Sequence, residues 1–213
     1  MIKRFWLIMG MIAVGICNVY GQQPSYRPVD NVGQVKNTLD SISNHVQTIK
    51  SEFVQQKHMK ELSVTVQSKG KFWFKKENSI RWEYTEPFQY SIIINKGNLQ
   101  IDDEGKKSRY NVNQSNLFQE VGHVITRLVK GEIGESQKYD LTFQENNQYY
   151  LISMIPKNQQ LGDILSEMRM FFDKETFMVS KIKMIEQKDN YTLIRFKNRK
   201  INEAVSDEIF SMD

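Results

Sequence analysis

Residues 70–87 read GKFWFKKENSIRWEYTEP, two alternating runs joined by a polar turn, and that alternation limits what the chain can become. Successive side chains of a strand point to opposite faces, so Ile80, Trp82 and Tyr84 share one side while Ser79, Arg81 and Glu83 share the other. The preceding run sets Phe72 and Phe74 against Lys71 and Lys75, with Trp73 breaking the pattern. Large aromatic area therefore collects on one side of the hairpin, and it needs a cover or a ligand. Two readings stay open from the pattern alone: rings that fill an ordinary closed core, or a face that receives something.

The flanking sequence changes period. Val32, Val35, Leu39, Ile42, Val46, Ile49 and Phe53 recur at spacings of three and four, which predicts one long amphipathic helix beginning after Asp30 and packed across a sheet. From Leu62 onward the period becomes two. Strands are expected over 62–75, 79–84, 90–95, 99–102 and 109–113, then over 139–143, 149–155, 166–173, 177–186 and 191–198, separated by turns such as Asn95-Lys96-Gly97-Asn98. About ten strands in one antiparallel sheet demand strong curvature, so the expected class is mainly β with helices, an α+β chain. Between the two strand blocks Leu117, Phe118, Val121, Val124, Ile125, Leu128 and Val129 predict a second helix with Gly122 inside it. A glycine there costs about 1 kcal/mol of helix propensity. It marks either close packing against a neighbour or a helix poised to bend.

The beginning of the chain carries Lys3 and Arg4, an apolar run to Val19, and small residues at Val19 and Gly21. That pattern predicts a secretory leader over residues 1–21, too short for a membrane span of ~20 apolar residues. Cys17 follows Ile16 rather than a small residue, which argues against a lipid-accepting cysteine. Cleavage after Gly21 would leave 192 of the 213 residues, remove the only cysteine and lower the formal net charge from +4 to +2. The exported chain then has no disulfide in an oxidising compartment and relies on its core. Residues 22–30 read as an extended lead-in and 31–213 as one domain. Basic and acidic residues are interspersed, with no clustered footprint for nucleic acid.

Catalytic and metal motifs are missing from the sequence. His45, His58 and His123 are isolated, and neither H-E-x-x-H, G-x-S-x-G nor a phosphate-cradling glycine loop occurs. Asp102, Asp103 and Glu104 lack the spacing of a calcium loop and fit a hairpin turn. No enzyme activity, metal or cofactor is expected. What accumulates instead is apolar surface with adaptable side chains: Met154, Met168, Met170, Met178 and Met184 fall in predicted strands. Each alone suits a core; five on neighbouring strands suit a cavity for flexible chains. Strand parity selects an inner face of Phe72, Phe74, Ile80, Trp82, Tyr84, Ile92, Ile94, Met168, Met170, Phe172, Ile182, Met184, Ile194 and Phe196. Ile80→Glu on that face is expected to fold and yet spoil the cavity for such chains.

Phe53 and Gln55, then Gly70, Phe72 and Phe74, then Ile80-Arg81-Trp82-Glu83-Tyr84 and Pro87 follow the order F-x-Q, G-x-[FL]-x-[FVW] and [LI]-R-W-E-Y, and in this the chain resembles the LolA family of periplasmic lipoprotein carriers. The resemblance implies an unclosed antiparallel barrel covered by lid helices, with an inner face that receives the acyl chains of lipoproteins. It also implies a periplasmic carrier, acting as a monomer, that moves acylated lipoproteins from inner to outer membrane. Its partners would be an inner-membrane lipoprotein-releasing ABC transporter and an outer-membrane acceptor or the membrane itself. Phe118, Val121, Gly122, Ile125 and Leu128 would form the lid. Many members carry Arg-Pro where this chain has Lys76-Glu77, and that arginine fastens the closed lid. Lys76 or Arg81 is the candidate replacement, although lysine lacks the planar donor fork of arginine. Other classes on the same fold are a lipid- or lipoprotein-sensing regulatory module and a carrier of another lipid. An envelope hydrolase is a further class.

Overall fold

The computed structural model describes residues 25–76, 79–111 and 137–212. A two-residue strand β1 (Arg27–Pro28) leads into helix α1 (Val32–His45), followed by strands β2 (Thr48–Met59), β3 (Val64–Lys75), β4 (Ser79–Glu86), β5 (Tyr90–Asn95), β6 (Asn98–Asp103) and β7 (Lys106–Asn111). The second block is β8 (Tyr139–Glu145), β9 (Tyr149–Pro156), β10 (Glu167–Asp173), β11 (Val179–Ile185) and β12 (Tyr191–Ile201). These twelve described strands form one sheet in the order β1-β8-β9-β10-β11-β12-β2-β3-β4-β5-β6-β7. Two antiparallel meanders are thus joined where β12 pairs with β2, and the curled sheet stays open between β1 and β7.

The first helix is shorter than its apolar stripe predicts. Asn31 caps its start, accepting from the Gln34 N–H at 2.9 Å, but the helix ends at His45, and Ile49 and Phe53 belong to β2. A spacing of four fits both one helical turn and two strand repeats, so Ile49 and Phe53 satisfy either period. What separates the two is a residue far away in sequence. The Asn202 side chain donates to the His45 carbonyl at 3.2 Å and accepts from the Gln47 N–H at 2.7 Å, satisfying the frayed end of α1 as the chain turns into β2. Strand β7 also begins earlier than the expected 109–113, because residues 102–105 close a tight turn in which Glu104 and Gly105 adopt positive φ and the Asp102 carboxylate accepts from the Gly105 N–H at 2.8 Å. That bond gives the acidic run its turn role.

The core lies on the inner face. One cluster gathers Val46, Ile49, Phe53, Phe72, Phe74, Ile80, Trp82, Ile94, Leu99 and Ile194; a second gathers Val35, Leu39, Ile152, Met154, Met168, Met170, Phe172 and Ile182. Met184 and Phe196 pack against both, so the two are one continuous surface. Helix α1 crosses it, with Val35 and Leu39 over the second cluster and Ile42 and Val46 against the first. On the outer face the turn Asp207–Phe210 folds back over β4 and β5: Arg81 and Asn95 donate to the carbonyls of Ile209 and Phe210, Lys75 pairs with Asp207 at 2.6 Å, and Phe210 is buried.

Candidate functional site

The motif residues meet at one place. Phe53 of β2 lies across Gly70 of β3, where a Cβ would stand 2.5 Å from its ring and 2.0 Å from the Glu83 carbonyl oxygen. No side chain fits there, and the glycine therefore lets a buried ring cross the backbone. The Trp82 ring sits 4.5 Å from Phe53, 5.3 Å from Phe72 and 6.1 Å from Phe196, and Tyr84 meets Phe53 edge-on at 5.2 Å. The Tyr84 hydroxyl donates to Gln55 Oε1 at 2.9 Å. Burial pushes the Tyr84 hydroxyl's pKa up, while the Trp82 indole and Gln55 pull it the other way. Each spacing in F-x-Q, Gly-x-Phe and R-W-E-Y thus has a contact behind it.

All the inner-face residues selected by parity stand on one face. Across the first meander Phe74, Ile80, Ile94 and Leu99 form one cross-strand row and Phe72, Trp82, Ile92 and Ile101 the next. Across the second, Met154, Met168 and Met184 are in register, as are Ile152, Met170, Ile182 and Ile194. Ser79, Arg81 and Glu83 take the outer face. The two ends of the inner face differ in cover. Met168, Met170 and Phe172 lie under α1 and are no more than 2% exposed, whereas Tyr84, Ile92, Ile101, Met184 and Phe196 are only partly buried. Met178 precedes β11 instead of lying in it.

Arg81 is held on the outer face, donating to Glu83 Oε2 at 2.7 Å and to the Ile209 carbonyl at 3.3 Å. Lys76 is exposed beyond the end of β3. The expected lid residues Phe118, Val121, Gly122, Ile125 and Leu128, and the expected leader over 1–21, lie outside the described residues. Alternation missed one cation. After Phe196 the β12–β2 register slips between Lys197 and Lys200, and Asn198 has positive φ. That bulge turns Arg199 onto the inner face, its guanidinium 5.2 Å over the Phe196 ring and donating to the Val179 carbonyl. Burial lowers the Arg199 pKa to about 10, with Asp173 opposing. Nothing in the local sequence signals the bulge except an asparagine, which tolerates left-handed backbone.

Residues 44–213 match the family described as outer membrane lipoprotein carrier protein LolA. The chain belongs to that family. LolA-family proteins are carriers rather than enzymes, and this chain has the lipoprotein-carrier fold. An outer-membrane lipoprotein carrier protein of Alkalilimnicola ehrlichii is 28% identical over 101 residues, 47% of this chain and 46% of that one. The chain therefore spans about half the length of the curated relative it matches. A conserved protein of Thermus thermophilus superposes with a TM-score of 0.55 over 84% of this chain and 94% of that one at 8% identity, a likeness of fold alone. A LolA superfamily protein of Nitrosomonas europaea covers 84% of this chain and 96% of its own, with 11% identity and a TM-score of 0.43.

Proposed function

We propose that the chain sequesters the acyl chains of lipoproteins against the inner face of its sheet and shuttles them through the periplasm from inner to outer membrane. The observation that carries this is the one-sided aromatic surface of an unclosed sheet, assembled from the motif residues Phe53, Gly70, Phe72, Trp82 and Tyr84 of a LolA-family chain. Burying an acyl chain is worth about 0.8 kcal/mol per methylene, so a chain of ~16 carbons holds on the order of 12 kcal/mol against release into water. Only a carrier that hides the lipid moves it across an aqueous compartment. An inner-membrane ABC transporter supplies the energy of loading, and an outer-membrane acceptor or the membrane itself receives the cargo. The test is a transfer assay with acylated lipoprotein, transporter-containing vesicles and acceptor vesicles. Soluble lipoprotein–carrier complex, delivered onward to the acceptor, is the expected result; release that does not depend on the carrier would reject the reading.

A further inference from the structure

The outer face of β10–β12 carries positive charge that the fold does not balance. Its outward positions hold Arg169, Lys181, Lys183, Arg195 and Lys197 against the carboxylates of Glu167 and Asp173. Asp173 turns into the loop before β11, where it accepts from the Glu175 and Thr176 N–H groups at 3.1 and 3.0 Å. Strand register then sets like charges opposite one another, Lys183 across from Arg169 and Lys181 across from Arg195. Such pairs destabilise a sheet. Lysines elsewhere on the same sheet do meet carboxylates, as Lys69 meets Glu86 and Lys75 meets Asp207.

What holds these cations in place is neutral. The Lys181 ammonium lies 3.9 Å from the centre of the Tyr149 ring and 5.1 Å from that of Phe171, and Lys183 lies 4.2 Å over Tyr191. Arg195 donates to Gln56 Oε1 at 2.6 Å. Rings and an amide orient a cation without cancelling its charge. Among the described residues Lys181, Lys183 and Arg195 form no salt bridge, and only Arg169 is paired, with Glu167 at 2.7 Å. The cations therefore stand on a grid set by the strands, with backbone positions about 4.8 Å apart across them and roughly 7 Å apart along them.

We propose that this face docks an acidic segment of a partner protein, whose carboxylates meet Lys181, Lys183 and Arg195. A fixed grid suits carboxylates that are themselves spaced along a peptide, because the cations need little ordering on binding. A fluid anionic membrane gains nothing from fixed spacing, and the Tyr149 and Tyr191 rings are half-buried beneath the lysines instead of projecting past them for insertion. Docking on the outer face leaves the inner face free, whatever ligand that face carries.

The experiment titrates an acetylated peptide of alternating glutamate and threonine into the ¹⁵N-labelled chain. Amide shifts are expected on β10–β12, with affinity falling several-fold between about 50 and 150 mM NaCl. Lys181→Gln/Arg195→Gln should weaken binding about tenfold. Lys183→Gln, a single change on the same grid, should weaken it about threefold and is the check should the double variant unfold. Lys60→Gln/Lys188→Gln deletes the same amount of charge from cations already paired with Asp189 and Glu61, and should keep the affinity within about twofold. Equal losses in the two double variants would show that net charge alone attracts the peptide and would overturn the docking site. So would no binding at all, or retention of the chain by phosphatidylglycerol vesicles without any binding of the peptide. The carrier reading stands under each of these outcomes.

Discussion

Under α1 the β9–β10 part of the inner face is built from Ile152, Met154, Met168, Met170 and Phe172, none more than 3% exposed, whereas the β3–β6 part sets Phe72, Trp82 and Tyr84 beside Ile92 and Ile101 and leaves the last three partly open. Both parts alternate equally well in sequence. The difference comes from Val35 and Leu39 of α1, which pack in one buried cluster with the methionines. Methionine here fills irregular space beneath a helix, as it does in ordinary cores, and its adaptability is no mark of a ligand cavity. Rigid rings at the other end hold a surface in shape without needing to be covered everywhere. The candidate lipid face is accordingly the aromatic part with Phe196 and Met184, narrower than alternation suggests.

The largest expected effect strikes the frame of the aromatic part. Gly70→Ala forces a methyl to within 2.0 Å of a backbone oxygen and 2.5 Å of the Phe53 ring, and the loss should be about 3 kcal/mol or more in urea unfolding. A loss below about 1 kcal/mol would mean that Phe53 is free to move, and the rigidity assigned to this part would be wrong. Ile80→Glu belongs to the same class. Ile80 is 0% exposed between its cross-strand partners Phe74 and Ile94, so the substitution should unfold the protein rather than selectively block uptake, a different outcome from the one alternation alone predicts.

A pair of milder substitutions separates stability from uptake. Met170→Ala, in the covered part, should cost about 2–5 kcal/mol in stability and leave lipid affinity of the folded protein unchanged. Ile92→Asn, on the partly open part, should cost about 1 kcal/mol and reduce lipid uptake several-fold. Dye displacement beside thermal unfolding reads both. If Met170→Ala weakens uptake and Ile92→Asn does not, the assignment of the two parts is reversed.

Smaller again is the clip between the parts. Asn202→Ala removes the side-chain bonds to His45, Gln47 and Thr48 across the α1–β2 junction and should cost about 1–2 kcal/mol, with faster hydrogen exchange at the Gln47 N–H. This clip also explains where sequence reading stops. Period two placed most of β3–β12 and put every selected side chain on the correct face, because a half-buried strand writes its orientation into each residue. The end of α1 was not legible, since a spacing of four at Ile49 and Phe53 fits two periods and the deciding contact comes from Asn202. The inward turn of Arg199 was hidden for a related reason: one left-handed residue at Asn198 shifts the parity of everything after it. The clash that makes Gly70 necessary is invisible until Phe53 is known to lie opposite.

The smallest effect is electrostatic and concerns the edge of the covered part. Glu145, at the end of β8, accepts from Lys174 at 2.6 Å and pairs with Arg27 of β1 at 2.7 Å, tying the edge strand to the sheet. The bonded Lys174 ammonium holds its carboxyl below the usual carboxylate range, Arg27 adds to this, and burial opposes it. A carboxyl whose folded pKa is depressed stabilises the folded state above its unfolded value of about 4.3, and that contribution is lost as pH falls toward the folded value. Glu145 is itself covered, but its partner Arg27 is solvent-exposed at the sheet edge, where water screens the pair, so the effect is modest. Acidification from pH 7 to about 3 should therefore loosen β1 and β8 before β3–β5, seen as earlier loss of hydrogen-exchange protection at Val29 and Phe143 than at Trp82. Glu145→Gln should destabilise the protein slightly at pH 7 and differ less and less from the parent as the pH drops. A constant difference at all pH values would show that Glu145 acts by packing, and acid would then give no means of opening the covered part separately from the aromatic one.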